Sequence, residues 1–182
     1  MPTSAALFAG GGGDTEGAIA ANYTPLWAIE SDPKAAAIYR KRFRQVQLIE
    51  ADVTSLSTEF ICSLPVPDVL IWGSPCPDFS MAGTRAGFDG TRGRLFFEGV
   101  RFLRLQKPKS FVFENVDGLL SHDNGQTFQK VISAFGQLGY VGTWQVRNGN
   151  RHVPQSRVRV FCVGYYRECI SDTAEILQEN AC

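Results

Sequence analysis

Five short apolar runs, at residues 4–9, 26–30, 46–50, 68–72 and 110–113, are each followed by a stretch with turn residues and helical spacing. That alternation is the tightest constraint on the fold. A strand buried on both faces reads as a continuous apolar run, and parallel strands need a crossover helix between them. Residues 15–21, 33–42, 55–63, 93–106 and 126–138 supply the helical patterns, with Asp32 placed to cap and Pro33 to open the second of them. Two more strand-like runs, 140–147 and 158–166, are joined by the loop 148–157. The pattern predicts a doubly wound, mostly parallel α/β sheet with an antiparallel strand near the end. One domain is expected over residues 1–166, followed by a polar tail at 167–182.

The chain has 182 residues, enough for one domain with a sizeable core. No apolar run approaches the roughly 20 residues that span a bilayer. The first twenty residues hold no Lys or Arg, so no signal peptide is expected. The five cysteines, Cys62, Cys76, Cys162, Cys169 and Cys182, form no CxxC pair, and only His122 and His152 accompany them. No metal site is expected, and the pattern fits a reducing cytoplasm. Cys62 and Cys162 read as small buried apolar residues. Net charge is zero but unevenly spread. Arg85, Arg92, Arg94, Arg101, Arg104, Lys107 and Lys109 crowd one segment, and Arg147, Arg151, Arg157 and Arg159 another. Together they could form a stripe for a polyanion, or merely solvate helices.

Phe8, Ala9, Gly10, Gly11, Gly12 and Gly13 follow the first strand and open the first helix. Glycines there let backbone approach a nucleotide, and a helix N-terminus offers free N–H donors. GxGxxG is not completed, because Thr15 or Glu16 stands where a third glycine belongs, which disfavours a nicotinamide dehydrogenase. Glu30 closes the second strand where a carboxylate bonds ribose hydroxyls in such folds. Asp52, after the third strand, could accept from an adenine amino group. The alternative is a plain tight turn with two surface acids.

Gly73-Ser74-Pro75-Cys76-Pro77-Asp78-Phe79-Ser80 leaves the fourth strand. A cysteine between two prolines sits on a stiff loop, and loops at strand carboxyl ends line the ligand crevice. To attack, the thiol must lose its proton, which nearby arginines or a helix N-terminus would favour.

These blocks, with ArgGlyArgLeuPhePhe (92–97), GluAsnVal (114–116) and GlnSerArgValArg (155–159), resemble the cytosine-C5 DNA methyltransferases over residues 4–166. Ala6 departs from the usual Asp, Pro77-Asp78 from the commoner Gln, and Ser74 from an apolar residue. The resemblance implies a Rossmann-like, S-adenosylmethionine-dependent fold. It makes Cys76 the nucleophile at C6 of cytosine. Glu114, at the end of the fifth strand, would serve N3, a role that calls for burial beside the base. Arg159, and less directly Arg157, would stabilise charge at O2. Phe8, Ala9, Gly10, Gly12 and Gly13 would hold the methionine part of the cofactor, and Glu30 the ribose. Asp52 and Val53 would meet the adenine, with Pro75 and Leu95 lining the adenosine side. Ser80, Arg85, Arg92, Arg94 and Gln155 would face DNA with a flipped cytosine.

Members of that family continue with a target-recognition domain and a segment containing GlyAsn that packs beside the first strand. Neither is expected here, so a truncated form, or a subunit whose partner polypeptide carries the target-recognition domain, follows. Apolar surface near Leu7 and Phe8 would then need another cover. An RNA cytosine methyltransferase and a non-catalytic cofactor- or DNA-binding remnant are the rival readings.

Overall fold

The computed structural model describes residues 1–74, 95–151 and 154–169. Seven strands form one mixed sheet in the order β3-β2-β1-β4-β5-β7-β6. β1 (Thr3–Leu7), β2 (Thr24–Glu30), β3 (Gln47–Glu50), β4 (Val69–Gly73) and β5 (Ser110–Val116) are parallel. β7 (Val158–Tyr166) lies antiparallel between β5 and β6 (Tyr140–Asn148). This is the doubly wound α/β sheet expected from the alternation. Strand order reverses between β1 and β4, so the crevice of such a sheet lies at their carboxyl ends. The glycine turn leaves β1 there, and Ser74 leaves β4.

Among the described residues, six α-helices connect the strands: α1 (Gly13–Ala20), α2 (Pro33–Arg42), α3 (Thr58–Ser63), α4 (Leu95–Gln106), α5 (Gly118–Ser121) and α6 (Gln126–Gln137). Asp32 caps α2 as expected, accepting from Ala35 N at 2.7 Å, with Pro33 in its first turn. The helix expected over 55–63 is two pieces. Asp52 Oδ1 accepts from Thr54 N (2.9 Å) to cap a 3₁₀ turn, Val53–Ser55, and Ser57 Oγ accepts from Phe60 N (3.1 Å) to start α3.

One sheet face packs on α3–α6. Leu7, Trp27, Leu70, Trp72, Phe111 and Phe113 meet Ile61, Phe96, Phe102, Leu103, Val131 and Phe135 in the main core. Trp72 is fully buried, with Phe111 and Phe113 rings 5.6 and 5.3 Å away. The opposite face is covered over β1–β3, where Ala6 and Ala28 pack on Tyr39 and Phe43. Beyond β4, Val112, Phe161 and Val163 point to that same face and stay only partly buried, and Tyr165 is 53% exposed. Among the described residues no helix covers them. The exposed apolar surface is therefore here and not at Leu7, which is fully buried.

Three further expectations are corrected. β1 ends at Leu7 and not residue 9, because Phe8 turns left-handed (φ 54) and starts the glycine turn. Cys62 is exposed on α3, whereas Cys162 is buried on β7, where burial pushes its thiol up to about 12. Within the described part of the basic segment before residue 110, two cations are drawn out of any stripe: Arg101 is tied inward to backbone carbonyls, and Lys109 pairs with Asp68 (2.8 Å) at the amino end of β4.

Candidate active site

The glycine turn is fixed from three sides. Gly10 N donates to Glu30 Oε2 (2.6 Å), and Asp32 N donates to Glu30 Oε1 (2.7 Å). Glu30, 9% exposed, therefore joins the β1 turn to the β2 turn through both carboxylate oxygens. Each oxygen retains a lone pair, as a ribose-binding carboxylate requires. Arg42 of α2 reaches back to the Gly11 carbonyl and to Glu16 Oε2 (2.9 Å). Gly12 is required by packing: its φ is 88°, and a Cβ would lie 2.2 Å from the Phe43 ring. Its N–H is engaged within the turn by Ala9 O (2.8 Å). Gly10 and Gly13 have no heavy atom within 4 Å of an added Cβ, so they are the open positions. Phe8 and Leu95 are partly buried against the main core, and Val53 is fully buried. Asp52 is exposed, its carboxyl held below the usual range by the backbone N–H and then the hydroxyl of Thr54.

Across the switch point, Glu114 lies inside β5, not at its end, opposite Phe161 of β7 and beside Gly73 of β4. The strand runs on to Val116 because Asn115 turns inward, 1% exposed, where its Nδ2 donates to Ser74 Oγ (3.2 Å). That bond gives Ser74 a partner and ties the start of the cysteine loop to β5. Glu114 is partly buried, 21% exposed. Its Oε1 receives Arg159 Nε (3.0 Å) and Arg157 Nη2 (3.3 Å). An added Cβ at Gly73 would sit 2.9 Å from its Oε2, so only glycine leaves the carboxyl this room. With Arg147 these groups line a cleft of about 870 Å³. Of the second basic cluster expected from the sequence, Arg157 and Arg159 are thus assembled around one carboxylate, with Arg147 on the wall of the same cleft. Gln155 is exposed on the loop before β7. Pro75, Cys76, Ser80, Arg85, Arg92 and Arg94 lie outside the described residues.

Asp14 was not singled out by sequence, since an acid in a first helical turn ordinarily just complements the helix dipole. Here burial, then the Glu114 charge, raises its carboxyl to about 6, against the opposing pull of Arg157. It lies over Ala6 and Ile71, on the Glu114 side of the sheet. The site thus combines a glycine turn with open space beside Gly10 and Gly13, Glu30 at the end of β2, Asp52 just after β3, and a carboxylate–arginine cluster centred on Glu114 of β5, two strands from β1. Among the described residues no cluster could hold a metal ion.

A family model for C-5 cytosine-specific DNA methylase matches residues 3–181. The chain is 39% identical over 165 residues to the type II methyltransferase M.Bsp6I of Bacillus sp. (strain RFL6), covering 88% of this chain and 51% of that one. It is 42% identical over 127 residues to the orphan methyltransferase M.SPRI of Bacillus phage SPR, covering 69% and 28%. A putative DNA modification methyltransferase from an E. coli prophage superposes with a TM-score of 0.77 at 24% identity, over 93% of this chain and 48% of that one. The S. pombe Dnmt2 methyltransferase superposes at 0.70 with 19% identity, over 91% and 50%, and these two likenesses concern the fold. The chain spans about half the length, or less, of the relatives it matches. It belongs to the C-5 cytosine-specific DNA methylase family.

Proposed function

We propose that this chain is the catalytic portion of an enzyme that transfers a methyl group to C5 of cytosine in DNA. The carrying observation is the Glu114–Arg157–Arg159 cluster, two strands away from a turn whose open space and flanking acids suit a nucleoside-bearing cofactor. S-adenosylmethionine fits that turn, and when bound it supplies an electrophilic methyl group. Gly10 and Gly13 leave room at the methionine end, Glu30 has a lone pair on each oxygen for the ribose, and Asp52 with Val53 faces the adenine. Pro75 and Leu95 complete the adenosine side.

C5 of cytosine is a weak nucleophile, so the ring must be activated covalently. The Cys76 thiolate adds to C6, and the electrons of the C5–C6 bond move onto C5. Glu114 hydrogen-bonds the N3 edge, while Arg159, oriented with Arg157 on Glu114 Oε1, faces the charge that develops at O2. Preorganised groups of this kind need no rearrangement as charge develops. Once C5 carries the methyl group, loss of its proton lets the C6–S bond break and frees Cys76. The base must leave the duplex for this contact, which favours a basic cleft such as the one lined by Arg147, Arg157 and Arg159. Ser80, Arg85, Arg92, Arg94 and Gln155 are assigned to DNA contact.

The uncovered sheet face beyond β4 supports a further segment packing on this domain, on the same polypeptide or on a second one that selects the target. The test is methyl transfer from labelled S-adenosylmethionine to duplex DNA and to matched tRNA. It uses the purified chain, alone and supplemented with the C-terminal half of a type II relative. Label is expected as 5-methylcytosine in DNA. Label confined to tRNA, or to another atom of the base, overturns the proposal.

A further inference from the structure

We infer that Arg101 is a positioning residue for the adenine end of the cofactor site, an inference that rests on the cofactor reading above. Its guanidinium reaches out of α4 to the turn after β3. Nη2 donates to Val53 O (2.8 Å), and Nη1 donates to Leu56 O (2.9 Å). Glu98, one helical turn earlier, pairs with Nη2 at 2.7 Å. Arg101 and Glu98 side chains are 23% and 20% exposed, so the pair is partly shielded from solvent. Val53 opens the 3₁₀ turn that Asp52 caps, and Leu56 is the residue just after it, so the two carbonyls lie at its start and its end.

On its inner side the turn is seated by Val53, buried in the main core with Leu56 packed against it. Inside it, Asp52 Oδ1 accepts from Thr54 N and Oγ1, and Ser55 Oγ donates to Asp52 O. These bonds shape the turn without setting its place relative to the sheet. Ala51 N donates to Glu30 O at 3.2 Å, which anchors one end beside the ribose carboxylate. Arg101 anchors the other. A guanidinium offers a planar fork that spans two carbonyls, whereas an ammonium is a point donor that holds one at a time. Arg101 belongs to the segment that composition alone would assign to a polyanion, and its inward bonds remove it from that role.

The test compares wild type, Arg101→Lys and Arg101→Met for binding of S-adenosylhomocysteine and of adenosine by calorimetry. Affinity for both is expected to fall at least tenfold in Arg101→Met and by less in Arg101→Lys, about the loss from one or two charge-assisted hydrogen bonds. The fold-change should be the same for both ligands, because they share only the adenosine part. Unchanged affinity in Arg101→Met overturns the inference, as does a loss much larger for S-adenosylhomocysteine than for adenosine. A wild-type chain that binds neither ligand overturns the cofactor reading, and the inference with it. If Arg101→Met does not fold, the Arg101 side-chain nitrogen signals of labelled wild type decide. They are expected to shift on adding adenosine, and signals that stay in place overturn the inference.

Discussion

Asp14→Asn should stabilise the protein near neutral pH, an unusual outcome for an acid in the first turn of a helix. The helix dipole favours a carboxylate there by about 0.3–1 kcal/mol. Burial and the Glu114 charge act the other way and prevail, since the carboxyl is raised from 3.8 to about 6. A rise from 3.8 to about 6 corresponds to about 3 kcal/mol if fully expressed. Asp14 keeps part of its surface in solvent, so about 1–2 kcal/mol is the better expectation. The sign follows from the raised value. Between about pH 4 and 6 the folded state holds a proton that the unfolded state has lost, so stability falls as pH rises through that window and is level above it. Asn has no proton to lose, so the variant escapes the fall. Urea unfolding of both proteins from pH 3.5 to 8 should give curves that meet below about pH 4. They should separate by about 1–2 kcal/mol above pH 6.5, or a melting point higher by about 2–8 °C for a domain of this size. A variant less stable than wild type at pH 7.5, or a constant difference across the range, would refute the reasoning.

Glu114→Gln keeps the shape but not the charge held between two arginines, and should lower turnover by about 10²- to 10⁴-fold with cofactor affinity little changed; full turnover would make the residue structural. Gly73→Ala should fold normally yet lose about tenfold or more in turnover, because its Cβ displaces Glu114 Oε2 from a 2.9 Å approach while both arginines hold Oε1. Undiminished turnover would mean that the carboxyl has slack. Glu30→Gln can accept from only one of the Gly10 and Asp32 N–H groups, since its amide nitrogen faces the other. It should cost about 1–3 kcal/mol of stability and weaken S-adenosylhomocysteine binding, and a variant unchanged in both would show that the two turns hold themselves.

Much of the fold was legible because parallel strands announce themselves. Runs such as 68–72 and 110–113 are apolar on both faces, and Asp32-Pro33 marks a helix start by side-chain chemistry alone. What escaped depended on partners distant in sequence. Nothing at Glu114-Asn115-Val116 reads as strand until Asn115 is seen to bury itself against Ser74. α5 and the 3₁₀ turn His122–Gly125 were missed because Asp123 and Asn124 adopt left-handed backbone, giving no periodic pattern, while His122 Nδ1 meets Thr127 Oγ1 at 2.8 Å. In the site, the glycine turn and its acids were found from position along the chain. The reason for Gly12 was not, because it lies in the Phe43 ring, far along the chain. Arg101 was grouped with surface cations because sequence shows charge and not direction. Asp14 gave no signal at all, since its altered proton affinity comes first from burial and then from Glu114, a hundred residues away.

Covalent trapping tests most directly whether Cys76 attacks a cytosine whose N3 edge is held by Glu114 and whose O2 faces Arg159. Duplex DNA carrying 5-fluorocytosine is incubated with S-adenosylmethionine and the protein, together with the C-terminal half of a relative where the chain alone does not hold DNA. Fluorine at C5 cannot leave as a proton, so release of the thiol stalls and the C6–S bond persists. A denaturation-resistant adduct is expected, mapping by peptide mass spectrometry to Cys76 and absent from Cys76→Ser, because a hydroxyl is a far weaker nucleophile near neutral pH. An adduct that persists in Cys76→Ser and maps to the exposed Cys62 would contradict the mechanism.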